Sequence, residues 1–210
     1  MNAFLTIKEE YSETTKVIKS EFLTIVKRVR NEDEMFVALK EIRKTYSNAT
    51  HVCYAAIFDK FGLASRFSDD GEPSGTAGQP IFDALKKSGL KETLVAVVRW
   101  FGGVKLGAGG LVRAYSSSAS SALKNANKAY FELCDIYEIR LDFAHAKKFS
   151  SVVARMPFDI ITTEYGMDVK YIIAAVEHSE VATLIADAMG CKPNLIKIGT
   201  RFIERPKMEK

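Results

Sequence analysis

Cysteine, histidine, proline and tryptophan are all scarce: 3, 3, 5 and 1 in 210 residues. The cysteines, Cys53, Cys134 and Cys191, form no CxxC pair and are odd in number. A disulfide framework and a closed zinc site are therefore not expected, and a reducing compartment fits. Each cysteine reads most simply as a small core hydrophobe. Three scattered histidines reveal no convergent ligand set for a dinuclear metallopeptidase, and Ser74 lies in no G-x-S-x-G elbow. No apolar run approaches the length of a membrane span. The opening MNAFLTIKEEYSETT has acids directly after its short apolar run and no cleavage site, so no signal peptide is expected. The reading is a cytoplasmic chain without membrane contact, resident cofactor or metal.

What is present is ordinary in bulk and uneven in detail. Hydrophobic residues at 47% and charged residues at 27% describe a globular chain, and the length allows one large or two small domains. The net charge of +4 is mild. All of that excess falls in residues 1–133, and ten of the 13 glycines lie between Gly62 and Gly110.

In residues 1–133 the stretch Lys16 to Arg30 suggests a strand by its alternation. Asn31 should cap a helix carrying Glu32, Asp33 and Glu34 in its first turn and an apolar stripe of Met35, Phe36, Leu39 and Ile42. HVCYAAIF at 51–58 is a buried strand candidate. The following FGLASRFSDDGEPSGTAGQP is a long ordered loop or hairpin. Helix character resumes at Gly78 and stops near Gly89. TLVAVVR at 93–99 should be an interior strand, and Leu111 to Asn125 a further helix.

Strand, glycine-rich loop and helix N-terminus follow one another between Arg99 and Arg113, a plausible anion site. The candidate binding residues are Arg66, Arg99, Lys105, Gly107, Gly109, Gly110, Arg113 and Tyr115, whose aromatic–basic pairings could stack bases and neutralise phosphates. The alternative is a tight β–α connection with Arg99 paired to Asp69 or Asp70. The glycine spacing matches neither GxGxxG nor GxxxxGK[ST], and Lys105 comes too early for a P-loop lysine. Asp69, Asp70 and Glu72, beside Pro73, could hold Mg²⁺, share hydrogen bonds with backbone and arginine, or face water. His51, at a strand start, is the one histidine placed to approach this loop, as a ligand-facing or a structural residue. No catalytic residue is assigned.

Residues 134–204 read as a second domain. CDIYEIRLD at 134–142 is a strand and Ala144 to Met156 a helix closed by Pro157. Strands follow at 159–163 and 168–176, with a turn at Tyr165-Gly166. A helix at 180–189 should be capped by Ser179 and ended by Gly190, before a last strand at 195–199. The order is βαββαβ, the ferredoxin-like pattern, making the chain α+β overall. The tail should fray after about residue 204.

FSDDGEPSGTAGQP at 67–80 and VVRWFGGVKLGAGGLVRAY at 97–115 closely resemble the signatures of the bacterial branch of the IMPACT/YigZ family (uncharacterised protein family 0029). The motifs map to Asp69, Asp70, Gly71, Glu72, Pro73, Gly75, Thr76, Gly78 and Pro80, and to Arg99, Gly102, Gly103, Gly107, Gly109, Gly110, Arg113 and Tyr115. The resemblance implies a first domain like domain IV of elongation factor G and its ribosomal-protein relatives. It implies a second like domain V of that factor. RNA or ribosome binding, with a role in translation or its regulation, follows as the expectation. A hydrolase of phosphorylated substrates and a protein-interaction scaffold are the alternatives. Eukaryotic members act on a kinase activator through an extra N-terminal domain, and that role is not carried over here.

Overall fold

The computed structural model describes residues 2–176, 181–190 and 194–205. The chain folds as two compact units, over Ala3–Tyr130 and Phe131–Arg205. No helix among the described residues is long and apolar enough to cross a membrane.

The first unit contains strands β1 (Ala3–Ile7), β2 (Tyr11–Val17), β3 (Ser20–Arg28), β4 (His51–Ile57), β5 (Ser65–Ser68) and β6 (Thr93–Trp100). Helices α1 (Glu32–Thr45), α2 (Gly78–Ser88) and α3 (Gly107–Asn125) complete it. Five strands form one antiparallel sheet in the order β2-β3-β6-β4-β5. β6 lies at its centre, and helices cover both faces. One core joins α1 to Ile25, Val52, Leu94, Ala96 and Val98. The other joins α2 and α3 to Phe22, Cys53, Val95 and Val97. Burial on both sides is why β6 reads as a continuous apolar run, without the alternation of a half-exposed strand.

The α1 start follows its sequence signals: the Asn31 side chain accepts the Glu34 N–H and three acids occupy the first turn, which favours the positive end of the helix. α2 ends at Gly89 in the left-handed conformation. Two other expectations are corrected. The strand proposed for Lys16 to Arg30 is β3, Ser20–Arg28, and the stretch also takes in the end of β2 at Lys16 and Val17. β2 and β3 pair across a two-residue turn, Ile18-Lys19, which lacks the Gly or Asn that marks such turns. α3 starts at Gly107, one turn before the proposed Leu111. The loop glycines therefore form its first turn, where few intrahelical bonds are needed and poor helix formers are tolerated.

In the second unit β7 (Lys128–Leu141, entered from the first unit), α4 (Phe143–Val152), β8 (Phe158–Tyr165), β9 (Val169–Val176), α5 (Val181–Met189) and β10 (Asn194–Arg205) follow in that order. β9 lies between β7 and β8, and β10 pairs with β7. One sheet face packs on α4 and α5 through Ile139, Phe149, Tyr171, Ile173 and Ile185. α4 gives way to a 3₁₀ turn at Val153–Arg155, short of the expected Met156, and β10 runs past the expected end at residue 199. The Ser179 cap, Cys191 and the tail beyond 205 lie outside the described residues.

Ile18, exposed and β-branched, sits at φ 56°, a conformation costly for any residue with a Cβ and worse for a branched one. Ile18→Gly should raise stability by about 1 kcal/mol, read as a higher urea midpoint at unchanged m-value.

Candidate anion-binding recess

Strand register sets the floor of the site. Arg99 stands opposite His51 of β4 on one side and Phe22 of β3 on the other. Its side chain follows Val95 and Val97 onto the face covered by α2 and α3, and it is only 4% exposed. Nη1 donates to Glu72 Oε1 at 2.5 Å and Nη2 to Ser20 Oγ at 3.2 Å. The guanidinium carbon lies 5.4 Å from the Phe22 ring centroid and 5.6 Å from that of Phe101, within cation–π range of both. Nε has no hydrogen-bond partner among the described residues.

Glu72 is buried as well, and its Oε1 also accepts the Tyr115 hydroxyl at 2.7 Å. Burial first, then Cys53 and Glu72, raise the Tyr115 pKa far above the phenol range. Burial likewise pushes the Cys53 thiol up to about 12 against the opposing effect of its hydrogen bond with the Tyr115 hydroxyl, which accepts from the thiol, so a thiolate nucleophile is unavailable at neutral pH. His51 Nδ1 is 2.8 Å from the carbonyl oxygen of Asp70. That oxygen only accepts, so Nδ1 carries the hydrogen. Nε2 is then the free ring nitrogen, 3.9 Å from Glu72 Oε1.

The three acids do not converge on a common point. Asp69 accepts the N–H groups of Gly75, Ala77 and Gly78 at 2.8–2.9 Å, closing the turn that leads into α2. Partial burial would raise its pKa, but the donors at Gly75, Gly78 and Ala77 outweigh that and hold it below the usual carboxylate range. Asp70, at φ 44°, accepts the Val52 N–H and pairs with Arg43. Of the alternatives left open for these residues, hydrogen bonding to backbone and arginine is the one observed. The acid paired with Arg99 is Glu72, not Asp69 or Asp70, because Asp69 and Asp70 are held by backbone donors. Thr76 bonds back to Pro73, and Gly71 and Gly75 take positive φ in the same turn region.

Above this floor α3 begins bare. Gly107 has φ 70°, no side chain caps the helix, and its first turn holds no acid. Lys105, exposed, lies two residues before Gly107. These groups line a recess of about 380 Å³ together with His51, Glu72, Pro73, Arg99, Phe101, Leu106 and Leu111. Gly102, at the root of the loop, is required by packing: a Cβ there would lie 1.7 Å from the Lys19 carbonyl oxygen.

The structure thus brings together Arg99, Lys105, Gly107, His51, Glu72 and Pro73 from the sequence set. Gly109, Gly110 and Arg113 lie on the first turns of α3 outside the lining, with Arg113 exposed. Arg66 is bound to Glu32 at 2.6 Å and stacked on Phe36, held to α1 and absent from the lining. Tyr115 is fully buried and has no ring face on which a base could stack. Arg99 acts mainly as architecture. Ser20 and Phe22, which complete its cage, come from a strand whose register no local motif announces.

A model of the Impact N-terminal domain matches residues 18–123, a span that holds every residue of the recess. The chain is 35% identical over 171 residues to the IMPACT family member YvyE of Bacillus subtilis, covering 81% of this chain and 79% of that protein. It is 28% identical over 176 residues to the IMPACT family member YigZ of Escherichia coli, covering 82% and 86%. A solved structure described as that of a hypothetical protein matches with a TM-score of 0.63 at 26% identity, over 94% of this chain and 98% of that one.

Arg99→Met would leave the Glu72 carboxylate buried without its counter-ion and should cost about 3–5 kcal/mol by urea denaturation. Adding Glu72→Gln should recover much of the loss, whereas simply additive losses would rule out the pairing as the cause. Asp69, with its folded-state pKa depressed, contributes stability above its unfolded-state pKa, and this is lost as pH falls through the folded value. Asp69→Asn should therefore flatten the acid limb of the stability–pH curve.

Proposed function

The chain belongs to the IMPACT family, and on that premise we propose that its first unit binds an anionic partner, RNA free or within the ribosome, with a role in translation or its regulation. The observation that carries this reading is the uncapped start of α3, opening beside Lys105 into the recess floored by Arg99. Unsatisfied N–H groups and the positive end of a helix attract phosphate without any sequence-specific contact. The reading includes the domain likenesses of the sequence: residues 1–133 arranged like domain IV of elongation factor G, and residues 134–204 a ferredoxin-like domain. The strand order β10-β7-β9-β8 with both helices on one face supports the second likeness. A cytoplasmic location belongs to the same proposal.

The hydrolase alternative drew its motive from Asp69 and Asp70, and backbone donors and Arg43 engage both. The scaffold alternative gains from the internal Glu72–Arg99 pair. That pair holds the recess walls in place while the α3 terminus stays open, so it is compatible with binding.

Salt-titrated anisotropy with a ribosomal RNA fragment tests the proposal. Lys105→Ala should weaken binding and reduce the slope of log K against log salt by about 1. Arg66→Ala, outside the recess, should change neither. No binding by the wild-type protein at low salt would overturn the reading.

A further inference from the structure

The β2–β3 turn carries a cost that its own packing does not offset. Ile18 sits at φ 56°, in a turn that favours Gly or Asn, and its side chain is 68% exposed. A branched apolar residue there gives up stability and gains little internal contact. Strain of this kind at an exposed side chain points to a contact outside the chain.

The surroundings share that character. The turn is pressed against the loop after β6, since a Cβ on Gly102 would overlap the Lys19 carbonyl oxygen. Ser121 donates to Glu13 and Ser118 bonds Thr15, so β2 runs opposite to α3 and brings its turn toward the start of that helix. In this region Phe101, Val104 and Val112 are exposed as well. The charges beside them are of one sign. Lys19, Lys105 and Arg113 are exposed and form no ion pair among the described residues. The neighbouring acids are engaged, Glu21 by Lys16 and the buried Glu72 by Arg99.

An apolar centre rimmed by unmatched cations is the make-up of a protein-docking face, and its charge complement is acidic. Bases stack on aromatic rings, whereas Ile18, Val104 and Val112 are aliphatic. Anchoring to an anionic lipid surface takes clusters of about four to eight basic residues, more than this region holds. The adjoining recess of about 380 Å³, walled by Phe101, Leu106 and Leu111, has the form of a socket for one large apolar side chain.

We propose that the β2–β3 turn, the loop after β6 and the first turns of α3 form a docking face for an acidic protein segment. A Leu or Phe of that segment fills the recess, Ile18 and Val112 cover its flanks, and its carboxylates meet Lys19, Lys105 and Arg113. The face shares Lys105 with the RNA reading but does not rest on it, because its centre is the uncharged Ile18.

A random dodecapeptide display library supplies the probe. Selection on the wild-type protein should enrich sequences that combine Asp or Glu with Leu, Ile or Phe. Ile18→Gly should weaken binding of the strongest such peptide about tenfold while raising the urea midpoint, so loss of the fold does not account for the effect. Lys19→Ala and Arg113→Ala should each weaken it about two- to fivefold, and less at high salt. Ile18→Gly should leave binding of the ribosomal RNA fragment unchanged, which separates the two proposals. Peptide binding by a protein that fails to bind RNA supports the face and overturns the RNA reading alone. Selection of no peptide, or of peptides without acids, overturns the docking face, as does equal affinity of wild type and Ile18→Gly. Loss of RNA binding, or of binding to phosphatidylserine vesicles, on Ile18→Gly also overturns it and assigns the turn to that partner instead.

Discussion

A guanidinium removed from water costs several kcal/mol unless a carboxylate meets it and its other donors are answered. In this protein that requirement organises the first unit. Arg99 belongs to the central strand, Glu72 to the loop after β5, Ser20 to the hairpin strand β3, and Phe101 to the approach to α3. Tyr115 adds α3 itself through the same Glu72 oxygen. Four stretches of the chain, at Ser20, Glu72, Arg99–Phe101 and Tyr115, therefore meet at one ion pair. The pair also explains the crowding around it. Gly102 is needed because the β2–β3 turn must come close enough for Ser20 to reach Arg99.

The loop from Asp69 to Gly78 meets the same demand from the other side. Placing Glu72 under the sheet requires a compact turn, and the turn is held by its own side chains: Asp69 gathers three N–H groups, and Thr76 bonds to Pro73. Asp70 accepts a left-handed backbone and in return fixes the Val52 N–H, Arg43 and the His51 ring. A cluster of acids that looks like a metal site in one dimension is, in three, a set of divergent hydrogen-bond acceptors.

What the sequence disclosed followed from how local each signal was. The Asn31 cap, the Gly89 stop and the buried runs of β4 and β6 are written in adjacent residues, and the structure shows them there. The β2–β3 turn escaped because Ile18 occupies a position whose conformation favours glycine. The early start of α3 escaped because glycines read as loop. The partner of Arg99 was open between nearby acids, since the choice depends on which carboxylates backbone donors have already taken. The caging by Ser20 and Phe22 depends on register between strands about 80 residues apart, and no composition or spacing encodes that directly.

The same facts shift the electrostatic argument from arginines to backbone. Of the aromatic–basic residues that suggested phosphate binding, Tyr115 is core, Arg66 is held by α1, and Arg99 is largely neutralised by Glu72. Net charge contributes little, because a mild excess spread over a surface is screened within a Debye length. What remains is local and fixed: the start of a 19-residue helix that no side chain caps, one lysine, and one imidazole oriented by a carbonyl. Such a set does not need to reorganise when an anion arrives, since the ion pair beneath it has already set the positions of the walls. In the proposed reading the buried pair therefore serves binding by staying out of it. Were Arg99 free to swing out of its cage, Glu72 would be left buried and uncompensated in the same recess and would repel any anion placed there, against the proposed reading.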